Sequence, residues 1–391
     1  MKKKFAAFGL GLTLWLNSCQ AEATLSQTLG ARPIGDELKG RTFADLGTAL
    51  PQLKTTTVDT DGTLIFSDSP EYVKEDGILY QDTVKGKARV LYYHLNDSPQ
   101  AKKVAVVLEN RADKPVTIRI KRSGDGRPNA EMYCELGKET QTAYFEQSVQ
   151  QVIELAVGEK KILQEFMDKR IVKPQELVYG VYDFTADDNV NVAVISYPVG
   201  ENPYRFLEKA AVLPADEIHL RGTFTGMDRL ITVNRPYDPH REGPACITLA
   251  DDDRDPYKRG IDATDGSEVV NQGNYGINYW IDIPTVGRGK TRYLLAPLGG
   301  VYAGAMRIHD GREAYLCPTP ADSVWFGDKD LPEHEKIAQH IAIKQGFDIL
   351  FPDSESTLLG NFTNGRSLLF EYSPPGASNL PVIFVLLPAE K

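Results

Sequence analysis

Pro115-Val116-Thr117-Ile118-Arg119-Ile120-Lys121-Arg122 is the stretch that sets the fold class. Val116, Ile118 and Ile120 alternate with Thr117, Arg119 and Lys121, so one face is apolar and the other polar. That period of two is the mark of a half-buried strand. The run Lys103-Val104-Ala105-Val106-Val107-Leu108-Glu109-Asn110 precedes it across the polar link Arg111-Ala112-Asp113-Lys114, and the two read as a hairpin. Strand-like runs extend outward on both sides, at 63–66, 88–95, 177–184 and 190–197. Between them, Tyr144, Val149, Val152, Ile153 and Ala156 recur near helical spacing with no Gly or Pro until Gly158, which predicts a helix over 137–156. About seven short strands with polar turns predict an immunoglobulin-like sandwich carrying one helical insertion.

Further along, Pro198, Pro203 and Pro214 punctuate a boundary, with a short helix predicted over 205–212. The second half repeats the β character at 230–233, 246–249, 277–283, 292–295, 301–308, 367–372 and 382–387, with an amphipathic helix over 332–345. Val382-Ile383-Phe384-Val385-Leu386-Leu387 is continuously apolar, which predicts a central strand buried on both faces. The expected class is mainly β: two β-sandwich domains, immunoglobulin-like or jelly-roll-like, with one or two inserted helices. The expected divisions are a signal peptide at 1–23, a polar tether at 24–60, a first sandwich at 61–203 and a second at 204–391.

The 391 residues are 41% apolar and 25% charged with a formal charge of −10, which excludes wholesale disorder. A net-negative chain with no basic block excludes nucleic acid as the expected partner. Met1-Lys2-Lys3-Lys4 followed by the apolar run Phe5 to Leu16 has the pattern of a secretory signal. The run is shorter than the roughly 20 residues of a membrane-spanning helix. Leu16-Asn17-Ser18-Cys19 resembles a lipobox with Cys19 as the lipid acceptor, which would tether the chain to a membrane through its N-terminus. Ala21-Glu22-Ala23 offers the rival, an ordinary cleavage releasing the chain at Thr24. Of the other cysteines, Cys246 and Cys317 lie in the same expected domain and are the candidate disulfide; buried thiols at Cys134, Cys246 and Cys317 are the alternative.

Chemical motifs fail one by one. Gly289-Lys290-Thr291 ends like a phosphate-binding loop, but Pro284 stands where its first glycine must be. His334-Glu335 opens like a zinc-protease helix, but Ala338 stands where the second histidine must be. No nucleophile elbow is present. Asp251-Asp252-Asp253-Arg254-Asp255, with Asp262 and Asp265 beyond, imitates the first half of a calcium loop, making Asp251, Asp253, Asp255 and Asp262 candidate calcium ligands. Pro256 replaces the turn glycine and Asp262 the bidentate glutamate, so a solvated acidic loop is the alternative. Tyr275, Tyr279 and Trp280, beside Asn274 and Asn278, are candidate glycan contacts, with core packing as the alternative. No other cofactor is predicted.

Four stretches carry a family resemblance: Ser67 to Asn96, Gly137 to Glu146, Gly273 to Ile283 and Pro374 to Val382. They resemble uncharacterised secreted Firmicute proteins often labelled by an appended copper amine oxidase N-terminal-like domain, whose own repeats are absent here. The resemblance implies an exported, cell-envelope location and transfers no catalytic residue. The expectation is an exported, lipid-anchored envelope protein with a binding, adhesion or structural role, its partner a cell-wall glycan or another envelope protein. The alternative is a secreted hydrolase of envelope polysaccharide or peptide, which would need two carboxylates about 5–10 Å apart in a cleft.

Overall fold

A computed structural model describes residues 49–60, 62–146, 148–298, 301–320 and 356–389, with two short strands at Glu37–Leu38 and Asp348–Ile349. The lipobox at Cys19 and the expected helix at 332–345 lie outside these residues. Within them the chain is mainly β, as expected, and its sheets pack as sandwiches.

The first sandwich is one sheet folded on itself. Its spine is a pair of very long antiparallel strands, Gly77–Asn96 and Leu177–Pro198. Both break register at one level, where Gly86 adopts φ 83° and residues between Ala186 and Val190 bulge. Lys85 and Lys114 both pair with Asp188 there, and the backbone N–H of Thr117 donates to Asp187. The level is a corner: Val84, Val106, Val192 and Val194 on one side of it share a core with Val90, Ile118, Tyr182 and Phe184 on the other.

This corner explains the first departure from the sequence reading. Lys102–Asn110 and Val116–Asp125 do not pair with each other. They lie end to end along one edge of Leu177–Pro198, with Lys102 opposite Pro198 and Ile118 opposite Ala186. The link at 111–115 is the corner of a long strand rather than a hairpin turn. The helix also departs. It spans Tyr133–Glu146, and Ser148–Leu155 is a strand paired with Val116–Asp125. Val149, Ile153 and Leu155 turn inward while Val152 and Ala156 are exposed, so these apolar residues follow a period of two. The short later helix runs over Pro203–Lys209, capped by the Asn202 side chain, which accepts from the N–H groups of Tyr204 and Arg205.

The second sandwich packs a sheet ordered Glu313–Thr319, Gly304–Asp310, Leu368–Tyr372, Asn278–Asp282, Asp228–Val233 and Thr55–Asp59 against another. That other sheet includes Ser356–Thr363, Lys290–Pro297, Val382–Ala389 and Ala245–Leu249. Val382–Ala389 is central, as expected. Val382, Phe384 and Leu386 enter the main core, while Ile383, Val385 and Leu387 join Leu50, Cys246 and Leu294 in a smaller core behind the sheet.

Two features tie the halves together. Arg221–Thr225, beyond the proline-rich boundary, pairs with Thr63–Ser67 and so extends the first sheet past Pro203. Leu64, Phe66, Leu91 and Tyr179 of that sheet share a core with Tyr279, Tyr293, Phe370 and Phe384. Thr55–Asp59, inside the expected tether, is an ordered strand paired with Asp228–Val233. Arg89 is the polar counterpart of this shared core. It is about as buried as any side chain here (1% exposed). Its guanidinium donates to both oxygens of Asp183, to Asp228 and to the carbonyls of Met227 and Gly276.

Candidate functional site

Where the two sandwiches and the helix meet, a cleft of about 360 Å³ opens. Phe66, Leu91, Tyr93 and Tyr179 reach it from the first sheet, and Asp68 from just beyond the strand Thr63–Ser67. Tyr133 and Cys134 come from the first turn of the helix, and Tyr275 from the turn before Asn278–Asp282. The loop Gly376–Asn379 closes one side, and Glu71 and Leu220 complete the lining. Clefts of this size with a few convergent polar groups are the usual form of small-ligand sites.

The local backbone makes the convergence possible. Gly137 sits where the helix crosses the loop, and a Cβ there would lie 1.9 Å from the carbonyl oxygen of Gly376. A Cβ on Gly376 would in turn stand 3.0 Å from the rings of both Tyr93 and Tyr179. Ala377 adopts φ 59°, a left-handed conformation that costs an alanine energy. It points its carbonyl at the Cys134 thiol (2.9 Å). The Tyr275 hydroxyl donates to the Ser378 carbonyl at 2.6 Å, and the Tyr133 hydroxyl to that of Gln175 at 3.0 Å. The Tyr93 and Tyr179 rings meet edge to face, 5.7 Å between centroids.

Charge in the cleft is one-sided. Among the described residues its lining holds two carboxyls and no Lys, Arg or His. Burial, with Glu71 and Asp216 nearby, pushes the Asp68 carboxyl well above the usual range. Burial and Asp216 raise Glu71 as well. Asp216 is held low despite its own burial, because it accepts from the Glu71 N–H, the Ser69 hydroxyl and the His219 N–H. Asp68 Oδ1 is buried with no hydrogen-bond partner among the described residues. Burial also raises the phenols of Tyr93 and Tyr275, helped by Asp68.

The residues singled out in the sequence fall in several places. Tyr275 lines the cleft. Tyr279 does not: it is fully buried, and its hydroxyl donates to Asp255 and accepts from the Asn274 amide. Trp280, next along the strand, faces the other way and packs on His309 at 5.5 Å. Asp251, Asp253, Asp255 and Asp262 are not brought together. The acidic run satisfies itself: Asp251 Oδ1 accepts from the N–H groups of Asp253, Arg254 and Asp255. Asp255 is buried against Arg229, Tyr279 and the Ala250 N–H. Asp262 lies elsewhere, paired with Arg221 and His219, and hydrogen bonds from Thr264, His219 and Arg221 outweigh burial to hold it at about 2. Among the described residues, the one set of three candidate ligand groups within 4.8 Å of each other is His219, Asp262 and Asp265, of which Asp262 already carries Arg221.

The expected Cys246–Cys317 disulfide is not formed. Cys246 belongs to the small core behind the second sandwich and Cys317 to the main core, with Cys317 Sγ against the Leu358 carbonyl. Opposite sides of a sheet separate them, which domain membership alone does not reveal.

Sequence reading missed Asp68, Glu71, Tyr93, Tyr133 and Tyr179 as a group, since they are dispersed over more than a hundred positions. One signal was present. Of the four stretches singled out in the sequence (67–96, 137–146, 273–283 and 374–382), three supply lining residues, and the other supplies Gly137, which packs on Gly376.

No protein-family model and no curated protein matches the chain. Among solved structures, the CUB1-EGF-CUB2 region of human MASP-1/3 aligns over 86% of this chain and 99% of that one, at 10% identity and TM-score 0.19. A Paenibacillus xanthan lyase aligns over 88% of this chain and 27% of that one, at 8% identity and TM-score 0.17. The tandem CBM22 domains of Paenibacillus barcinonensis Xyn10C align over 88% of this chain and all of that one, at 8% identity and TM-score 0.16. Likenesses this weak carry no argument about what the chain does. Its own sheets define it as a β-sandwich protein.

Proposed function

We propose that this is an exported, lipid-anchored envelope protein that binds a ligand group in the tyrosine cleft. The observation that carries the reading is the cleft itself. Four tyrosines and two carboxyls from five separate segments line one cavity, held by a glycine contact and a strained alanine. Strain of that kind is kept where the surrounding structure, and often function, requires it. The secretory pattern and Cys19 support the envelope location; among the described residues no helix is long and apolar enough to cross a membrane. Calorimetric titration of the full chain with envelope-derived glycans and small polar metabolites tests the binding role. Retention of at least one, lost in Tyr93→Leu, is the expected result; no binding by any would refute it. Mass spectrometry of the N-terminus tests the anchor: a diacylated Cys19 is expected, and an unmodified chain starting at Thr24 would refute it.

A secreted hydrolase is the second reading, favoured by one observation. Asp68 and Glu71 face the same cavity and are both held above the usual carboxylate range, the state in which a carboxyl can donate a proton. Turnover of chromogenic glycosides abolished by Asp68→Asn and Glu71→Gln would support it.

A further inference from the structure

We infer that the group this cleft receives is an organic cation, an alkylammonium or quaternary ammonium carried on a small molecule or at the end of a polymer substituent. The inference rests on the cleft being a binding site and specifies what binds.

Three features lead to a cation. The first is the lining: among the described residues it holds two carboxyls and no positive side chain, with Asp216 a third acid behind Glu71. Burial and the crowding of these acids hold Asp68 and Glu71 towards their protonated forms, and a bound cation would relieve that repulsion and let them ionise against it. The second is Asp68, whose Oδ1 is buried and unpartnered among the described residues. Such an atom calls for a donor, which an ammonium N–H or the hydroxyl of a quaternary amino alcohol would supply, and the described lining residues hold no positively charged one. The third is the state of the tyrosines. The hydroxyls of Tyr133 and Tyr275 already donate to backbone carbonyls, and that of Tyr179 bonds the Gly376 backbone. What they offer a ligand is ring surface. Ring faces beside carboxylates attract ammonium groups through the negative face of the ring, most strongly when desolvated. A neutral sugar would stack on the same rings but would do nothing to relieve the crowding of Asp68, Glu71 and Asp216.

Titration calorimetry of the full chain at neutral pH provides the test, with choline and ethanolamine as probes and 3,3-dimethylbutan-1-ol as the uncharged isostere of choline. At least one amine should bind ten-fold or more tightly than the isostere. The preference should collapse in Asp68→Asn, and binding should weaken in Tyr93→Leu; thermal melts of both variants establish that they fold. Equal binding of choline and its isostere would overturn the cation assignment while leaving the cleft as a site. Failure of both amines would overturn it too, and the glycan titration would then decide separately whether the cleft binds anything. Amine binding unaffected by either substitution would overturn its placement here.

Discussion

Replacing Arg89 by Met should destabilise the protein more than any surface substitution, and the structure gives the size. The side chain is 1% exposed and its guanidinium makes five hydrogen bonds: two to Asp183, one to Asp228 and two to the carbonyls of Met227 and Gly276. Methionine roughly matches the volume, so the cavity cost is small. The loss is electrostatic: two carboxylates, with side chains 14% and 22% exposed, keep their burial and lose their cation. Breaking a buried pair from one side costs about 3–5 kcal/mol. Urea unfolding at pH 7 should show that loss. Asp228 is already pushed up by burial. Without Arg89 the folded-state value of Asp228 rises further, so that group opposes folding above the unfolded carboxylate range and ceases to do so once protonated. The penalty should therefore shrink as pH falls towards 4. Asp183→Asn added to Arg89→Met should recover part of the loss, a coupling read from the double-mutant cycle. A loss below about 1 kcal/mol, or one that does not vary with pH, would refute the claim that this arginine binds the two halves.

Gly137→Ala should destabilise despite its helical position, where alanine alone would be favoured by about 1 kcal/mol. The added Cβ meets the Gly376 carbonyl at 1.9 Å, so the net loss should be about 1–3 kcal/mol in urea unfolding, and a more stable variant would contradict the contact. His94 is buried between the Ser67 hydroxyl and the Pro70 carbonyl, and burial lowers it to about 4. Its neutral form therefore supports the fold fully above pH 6.5, and that support is lost as pH falls towards 4. Loss of melting temperature across that window should be smaller in His94→Gln. Iodoacetamide should label Cys134, half-buried at the cleft, before buried Cys246 and Cys317, and amine probes that fill the cleft should slow that labelling. Equal labelling of all three cysteines in the folded protein would contradict their placement.

The β class, and each strand whose side-chain pattern is local, were legible in the residues alone. Val116, Ile118 and Ile120 alternate in sequence and are all buried in the structure. The apolar run from Val382 fills two cores because a central strand has no solvent face. Features that depend on a partner far along the chain emerge only in the folded molecule. Whether 111–115 is a hairpin turn or a corner depends on Leu177–Pro198 lying alongside. Whether 148–155 is helix or strand depends on Val116–Asp125 offering an edge, since its apolar residues fit both periods over so short a run. Asp255 reads as a solvated calcium ligand until Arg229 and Tyr279 enclose it. The cleft was least legible of all. Its tyrosines and carboxyls are ordinary strand and loop residues, and only the approach of Gly137 to Gly376 gathers them into one site.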